Sequence, residues 1–574
     1  MASATNQTIA PFDHVSWRRN LPFFLLLALS LGVSAVVRIR LLNAPLERDE
    51  GEHAYLAQMI LSGHAPWQTA YNLKLPGTDF LYAAFLGLFG QTTAAIRIGL
   101  GIVNFAIVLL VGLLGKRLFG LTAGLFSASA FALMSCSQGV LGTIAHSTHF
   151  VVFFALWATL IMLDAREKNR LLFVSGLLYG IAFLMKQPGL AFAAAGGLIL
   201  ARECRASRLP LVPSLKRGAV FALGVALPYA VLCLVLWRAG TFPRFWYWTV
   251  TLAQGFAAQL PLDLRFEYLT QGIAAASGDA LGIWLLSALG IILALRKPGT
   301  RRAGLFLAVW AVLSFLAVSA GGVFRGHYFV LFLPAVALGC GAFLAAAAEA
   351  IDDFTALVGS APPPRLRAQL SFALPLMLAI LACAASVLEQ RDYLFSMDSY
   401  DFARSAWGLN PFPEAIQIAD YVRDHSKPDA RVAVLGSEAE IYFYSHRQAA
   451  TGYLFMYPLM EPGDYALDCQ KEVIREIEAA RPEYLVYAKV SSSWLAHPDS
   501  LRDIYLWADQ YTKEYFDIEG VIDLVPGEPA RYVWGRWASN YIPRSSANLR
   551  VYRRRQTPAN DQARIQVKPG SPSE

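Results

Sequence analysis

What most restricts this chain is a succession of long apolar runs joined by loops that are basic at every second position. The first run is Leu21–Val37, and others follow at roughly 94–115, 121–141, 147–164, 171–186, 188–201, 218–237, 280–295, 303–320, 327–348 and 368–388. A hydrocarbon core of about 30 Å is crossed by roughly 20 helical residues. In such a core every backbone N–H and C=O has to be satisfied within the segment, so these runs are expected to be helices. The expectation is a polytopic α-helical membrane protein with about eleven spans, of which 188–201 is short and reaches past Arg202. Composition agrees: 56% of residues are hydrophobic and only 16% charged, with mean hydropathy +0.41.

Arg18 and Arg19 precede the first run and Arg38 and Arg40 follow it. No small-residue cleavage site is evident, so the run reads as a retained anchor rather than a removed signal. Basic residues recur in every second loop: Lys116/Arg117, Arg166/Lys168/Arg170, Arg202/Arg205/Arg208/Lys216/Arg217, Arg296/Lys297/Arg301/Arg302 and Arg365/Arg367. Short loops rich in Lys and Arg stay in the cytoplasm. The N-terminus is therefore expected inside, and an odd number of spans leaves everything after about residue 389 outside.

That exported tail is long enough to fold. Phe412–His425 has an amphipathic helical pattern and Asp464–Ala480 a second one. Arg431–Tyr444 reads as a β run turning at Gly436, and Tyr484–Val490 as another strand. Alternating strands and helices imply a small α/β domain. The expected organisation is a cytoplasmic segment 1–20, a membrane module 21–390 with an external loop 38–77, an external α/β domain 391–555, and a disordered Pro/Gly/Ser-rich tail 556–574. The six cysteines show neither disulfide nor zinc spacing.

The chemistry-bearing residues concentrate in the loop 38–77. An acidic knot of Glu47, Asp49, Glu50 and Glu52 is followed by Tyr55, Tyr71 and then Lys74 before Pro76 and Gly77. Charged side chains outside a hydrophobic face are inexpensive when solvated, so a hydrated surface loop is the bland reading. Met59, Ile60, Leu61, Trp67 and Leu73 argue otherwise, because they would press the loop onto the membrane interface. The segment from Trp237 to Leu269 is dense in aromatics, as interface belts are. No Gly-rich phosphate loop follows a strand, which disfavours a nucleotide-sugar enzyme.

The pattern Asp49-Glu50-x-x-x-x-Tyr55, then Gly63, then Lys74-x-Pro76, resembles the first external loop of GT-C glycosyltransferases. The resemblance is to the family 39-like group containing aminoarabinose–lipid A transferases and protein O-mannosyltransferases. Gly180…Lys186-x-Pro188 and Arg325-Gly-His-Tyr-Phe…Pro334 resemble two further landmarks of that group, in the same order. Related transferases often carry another acid after the third span. Here Thr143-Ile-Ala-His-Ser-Thr-His149 stands there, with His146 and His149 in place of the acid.

The resemblance implies a GT-C-like fold and a polyprenyl-phosphate-linked sugar donor. A sugar leaving its phosphate needs cations at the departing anion and a base for the acceptor proton. On this reading Asp49 is the base; its structural alternative is a helix N-cap ahead of Glu52–Ile60. Glu50 orients the acceptor, binds a divalent ion or pairs with an arginine. Lys74, aided by Tyr55 or Tyr71, holds the donor phosphate, with Lys186 and the cluster Arg325, His327 and Tyr328 on the same side. Lys74 as an interfacial snorkelling side chain is the alternative. No metal site is assigned to His146 and His149, and no cofactor is required, although a divalent cation is compatible with the acidic loop. The partners implied are the lipid-linked donor, membrane lipid, and a lipid, glycan or protein acceptor; no nucleic acid is expected. The location implied is the inner (plasma) membrane, with the C-terminus periplasmic. The rival reading is a transporter or flippase of lipid-linked substrates. It fits less well because the ionisable groups lie at span ends, not at the bilayer midplane, and no internal repeat is evident.

Overall fold

The computed structural model describes residues 14–165, 168–252, 261–357 and 363–555. Its contacts divide the chain into two compact units: Met1–Ala44 with Leu73–Phe402, and Pro45–Asn72 with Ala403–Glu574. The division falls inside the loop 38–77, so that loop is not one appendage of the spans. The expected tail 556–574 lies outside the described residues.

The first unit is helical. Its opening elements are α1 (His14–Arg40), and, after a segment given to the second unit that contains α2 (Arg48–Leu61), α3 (Gly77–Phe89), α4 (Thr93–Phe119) and α5 (Leu121–Met134). Then come α6 (Ser147–Ala165), α7 (Asn169–Met185), α8 (Leu190–Ala206) and α9 (Leu211–Arg238). Among the described residues six helices are long and apolar enough to cross a membrane: Asn20–Arg40, Thr93–Phe119, Ser147–Ala165, Leu211–Arg238, Arg301–Ser319 and Ser371–Glu389. Leu262–Gly278 and Leu281–Arg296 meet at a bend of 102° and form a seventh if they count as one broken span. Four shorter apolar helices, among them α3, α5 and α7, accompany them. At 1.5 Å per residue the 14 residues of α5 extend about 21 Å, less than the hydrocarbon core. The expectation of about eleven spans counted such runs as full crossings. It also omitted α3 and Leu262–Gly278, the first because Gly90 ends it after 13 residues, the second because Asp263, Arg265 and Glu267 interrupt its apolar pattern.

Close helix approach is built from glycines. A methyl group at Gly180 would lie 2.3 Å from the Val225 carbonyl, and one at Gly176 would lie 2.4 Å from that of Phe221, so α7 and α9 meet backbone to backbone. Small residues at such crossings let dispersion and packing hold helices together where no hydrophobic drive exists.

The second unit carries a six-stranded sheet in the order β2-β1-β3-β6-β4-β5, where β1 is Arg431–Leu435, β2 Gln448–Ala449, β3 Tyr484–Lys489, β4 Phe516–Asp523, β5 Arg531–Trp534 and β6 Asn548–Arg554. β1, β2 and β3 are parallel; β4, β5 and β6 add antiparallel pairs. Helices Phe412–His425 and Asp464–Ala480 form over the residues the sequence indicates. The expected β run Arg431–Tyr444 does not extend so far: it ends at Leu435, and Glu440–Ser445 is helical. Glu440, Ile441, Tyr442 and Phe443 are buried in succession, which an alternating half-buried strand cannot do. The Tyr442 hydroxyl also accepts from the backbone N–H of Val434 at 2.9 Å, which folds this turn back on β1.

Candidate active site

Lys186 is set by the end of α7. The helix stops at Met185 and Lys186 is extended (φ −161°, ψ 139°), leading into the turn Gln187–Gly189. Gly189 is obligatory in that turn, since a methyl there would sit 2.4 Å from the Ala182 carbonyl. The start of α3 docks on the same corner. A methyl at Gly77 would meet the Leu184 carbonyl at 2.5 Å, and the Thr78 hydroxyl donates to the Met185 carbonyl at 3.1 Å. One bond more joins the two loops: the Gln187 side-chain amide donates to the Leu73 carbonyl at 3.0 Å. Lys74 and Lys186 are thus each next in sequence to one partner of a single hydrogen bond. Nothing in the sequence distinguishes Gln187 from any polar turn residue.

A third loop completes the cluster. Arg325 precedes the 3₁₀ turn Gly326–Leu331 and is exposed, while His327 is buried and Tyr328 half-buried. The Lys186 ammonium lies 4.0 Å from the centre of the Tyr328 ring, within the reach of a cation–π contact. Phe324, just before Arg325, holds a left-handed conformation (φ 45°), a strained state for a bulky residue. The turn is pinned from below, because a methyl at Gly326 would sit 2.3 Å from the Gly139 carbonyl and Thr148 donates to the His327 carbonyl at 3.0 Å.

The two histidines of the Thr143–His149 stretch diverge. His146 lies ahead of α6 and stacks on His327, with ring centres 3.9 Å apart and planes 14° off parallel. His149 is in the first turn of α6, and both of its ring nitrogens are buried with no hydrogen-bond partner among the described residues.

The acidic residues of the loop are built into the second unit. α2 begins at Arg48 with Glu47 as its N-cap, so the cap is Glu47 and not Asp49. Glu47 accepts from the Glu50 N–H at 3.0 Å while the Glu50 carboxylate reaches back to the Glu47 N–H at 3.5 Å, a capping box. Glu50 is fully buried and Asp49, one residue earlier, half-buried. Arg48 ties the helix to the unit: it donates to the Ser437 carbonyl (3.0 Å) and Asn410 (3.1 Å) and pairs with buried Glu438 (3.3 Å). Gly51 allows the approach, since a methyl there would lie 2.7 Å from the Glu440 backbone nitrogen.

Tyr55 is held inside the second unit. It is fully buried against Tyr442, its hydroxyl accepts from the Ala449 N–H at 2.9 Å, and burial pushes its pKa up to about 12. Tyr71 donates to Glu476 at 2.8 Å and packs edge-on against Tyr453. Both tyrosines hold the segment in its unit; the sequence shows them only as aromatics in a loop.

Residues 74–232 match a family model described as dolichyl-phosphate-mannose-protein mannosyltransferase. No curated protein matches the sequence. Among solved structures, ArnT from Cupriavidus metallidurans bound to undecaprenyl phosphate is similar at TM-score 0.59 and 15% identity, over 94% of this chain and 98% of that one. The archaeal oligosaccharyltransferase AglB from Archaeoglobus fulgidus, in complex with an inhibitory peptide and a dolichol-phosphate, is similar at TM-score 0.51 and 14% identity, over 91% and 75%. The chain has the GT-C fold of membrane glycosyltransferases, with a small sheet domain.

Proposed function

We propose that this chain is a membrane glycosyltransferase that moves a sugar from a polyprenyl-phosphate donor to an acceptor hydroxyl on the periplasmic side of the inner membrane. The observation that carries the reading is the convergence of three loops distant in sequence: Lys186 against Tyr328, with the Lys74 loop held to it through Gln187 and Leu73. Cations gathered at the ends of apolar helices suit a phosphate whose tail lies in lipid. The bound undecaprenyl phosphate of the similar ArnT structure supports the same donor class.

In the reaction the acceptor oxygen attacks the anomeric carbon. The bond from that carbon to the phosphate oxygen breaks, and the electron pair leaves with the phosphate. Lys74, Lys186 and Arg325 stabilise the charge that develops there; Tyr328 positions Lys186 and His327 supports the same turn by stacking on His146. Asp49 takes the acceptor proton, and a positioned base is worth about 10²–10⁴-fold in rate. A single displacement inverts the anomeric configuration. Glu50, buried in the capping box, acts by fixing Asp49 on the first turn of α2. The alternation of basic loops supports a cytoplasmic N-terminus and periplasmic C-terminus. The acceptor is a lipid, glycan or protein hydroxyl.

The test is turnover of a lipid-linked sugar by membranes carrying Asp49→Asn or Lys186→Met. The expected result is a loss of at least about 100-fold for Asp49→Asn at unchanged expression. Wild-type turnover by Asp49→Asn would refute the base, and label crossing sealed vesicles with no covalent product would favour a flippase.

A further inference from the structure

The second unit has a pocket of its own. In the sheet order β2-β1-β3-β6-β4-β5 the chain leaves β1 for β2 on one side and returns to β3 on the other. The carboxyl ends of β1 and β3 therefore mark the point where the strand order reverses, and open α/β sheets take their ligands in crevices at such points. At the end of β3 lies a pocket of about 550 Å³, within the range of about 300–1,000 Å³ usual for small-molecule sites. Its lining includes Tyr487, Lys489, Ser491, Trp494, Ala496 and Tyr505, all in the second unit. None of them takes part in the transfer chemistry proposed above.

The walls of this pocket are fixed in advance. Tyr487 and Lys489 are two apart on β3 and share one face of the sheet. After Val490 the chain makes the short turn Ser491–Trp494, and the Trp494 indole N–H donates to the Ala488 carbonyl at 2.8 Å, which locks the ring. Tyr505, in the first turn of helix Asp503–Tyr515, meets that ring with centres 4.6 Å apart and planes at 50°. Tyr487 meets it from the sheet at 6.1 Å and 66°. The Ser437 hydroxyl donates to the Ser493 carbonyl at 2.6 Å, so the loops after β1 and β3 brace each other. The Lys489 ammonium lies 4.9 Å from the centre of the Tyr487 ring. Burial, and then Arg550 opposite Tyr487 on β6, hold it below the ordinary lysine range, so it gains by donating to polar oxygens.

Aromatic walls beside an ammonium and a serine ask for a ligand with one apolar and one oxygen-rich surface. An acyl chain would set hydrocarbon against the ammonium, which is costly. A peptide strand finds no edge to join, because β3 is paired on both sides. A nucleotide phosphate wants a Gly-rich loop after the strand, and β3 is followed by Val490-Ser491-Ser492-Ser493. A pyranose with equatorial hydroxyls meets both demands, since its C–H face is apolar and its rim is polar. We propose that this pocket binds a sugar ring of that kind, with its C–H face on the wall formed by Trp494 and Tyr505 and its hydroxyls bonded to Lys489 and Ser491. The face of an aromatic ring is negative and receives C–H groups well. The bound saccharide is part of the acceptor; in that clause alone the inference rests on the glycosyltransferase reading.

Saturation-transfer NMR on the full chain in lipid nanodiscs, free of glycoside detergent, tests this with cellobiose and sorbitol as probes. Cellobiose has two rings with equatorial substituents; sorbitol has similar hydroxyls and no ring face. Wild type should saturate the ring C–H protons of cellobiose and leave sorbitol unsaturated. Tyr505→Leu should weaken cellobiose binding about fivefold by removing an aromatic face. Lys489→Met should weaken it about as much by removing a donor while keeping the apolar stem. Ala496→Leu, at an exposed position of the lining, should block binding by filling the pocket with every binding side chain kept; it carries the test if Tyr505→Leu fails to fold. Three results would each overturn the proposal: no saturation of cellobiose by wild type, equal saturation of sorbitol, or equal binding by wild type and Ala496→Leu. Membranes that transfer sugar while the chain binds no cellobiose would remove the pocket and leave the transferase standing; cellobiose binding without any transfer would do the reverse.

Discussion

Arg48 is the residue whose removal has the most calculable consequence. It is 13% exposed, and its partner Glu438 is fully buried. Arg48→Ala deletes bonds to Ser437 and Asn410 and leaves the Glu438 carboxylate without its counter-charge. Breaking a buried ion pair from one side costs about 3–5 kcal/mol. Glu438 keeps its bonds from the Ser437 N–H (2.8 Å) and the Ser493 hydroxyl, so the lower end, about 3 kcal/mol, is expected. Since 1.4 kcal/mol is tenfold in an equilibrium constant, opening of α2 should rise by about 100-fold. Hydrogen exchange followed by mass spectrometry on the purified full chain reads this directly. The reporters are the Gly51 amide in the first turn of α2 and the Ala449 amide, which donates to Tyr55. Arg48→Met with Glu438→Gln should recover most of the protection, because an apolar side chain opposite a neutral amide strands no charge. Arg48 also covers the rings of Phe412 and Tyr457 at 5.5 and 5.6 Å. If the double variant exchanges as fast as Arg48→Ala, the lost energy is that ring packing and the charge argument fails.

Three further outcomes follow from the same geometry. Burial, and then the neighbouring Glu438, holds the Glu440 carboxyl well above the ordinary carboxylate range. The folded unit therefore keeps a proton that the unfolded chain releases above about pH 4.3, and stability falls as pH rises from there toward the folded pKa. Glu440→Gln should slow exchange around α2 at pH 8 relative to wild type and show no such gain at pH 4; a gain of equal size at both would remove the proton from the account. Tyr328→Leu should raise KM for the lipid-linked donor several-fold with a smaller effect on kcat, since it loosens Lys186 without removing its charge; steady-state kinetics separate the two. Gly77→Ala should lower thermal stability, and Gly218→Ala in α9 much less, because a methyl at Gly77 meets backbone at 2.5 Å whereas at Gly218 it meets nothing within 4 Å; equal melting shifts would contradict the close packing of α3 on α7.

The parts of this molecule legible in its sequence are those fixed by local pattern. Continuous apolar runs specify α1, α4, α6 and α9 because a lipid-facing helix needs no partner to declare itself. Helices Phe412–His425 and Asp464–Ala480 show through their 3.6-residue period. What the sequence conceals is decided by contacts between distant segments. Glu440–Ser445 looks like strand, yet it is helical because its four consecutive buried residues pack in the unit that also holds α2. The segment Pro45–Asn72 reads as a membrane-surface loop, yet Arg48, Tyr55 and Tyr71 each bond to residues some 360 or more positions away, at Asn410, Ala449 and Glu476. Those bonds turn two of the three conspicuous tyrosines and one arginine into anchors. The same logic explains why Lys186 was recognisable only by resemblance: its value comes from Tyr328 and from Gln187 holding the Lys74 loop, neither of which a local pattern can show. Motif residues whose side chains are spent on bonds within their own unit, as those of Arg48, Tyr55 and Tyr71 are, hold the scaffold, and Lys186, set against an aromatic ring, is one whose substitution should touch turnover.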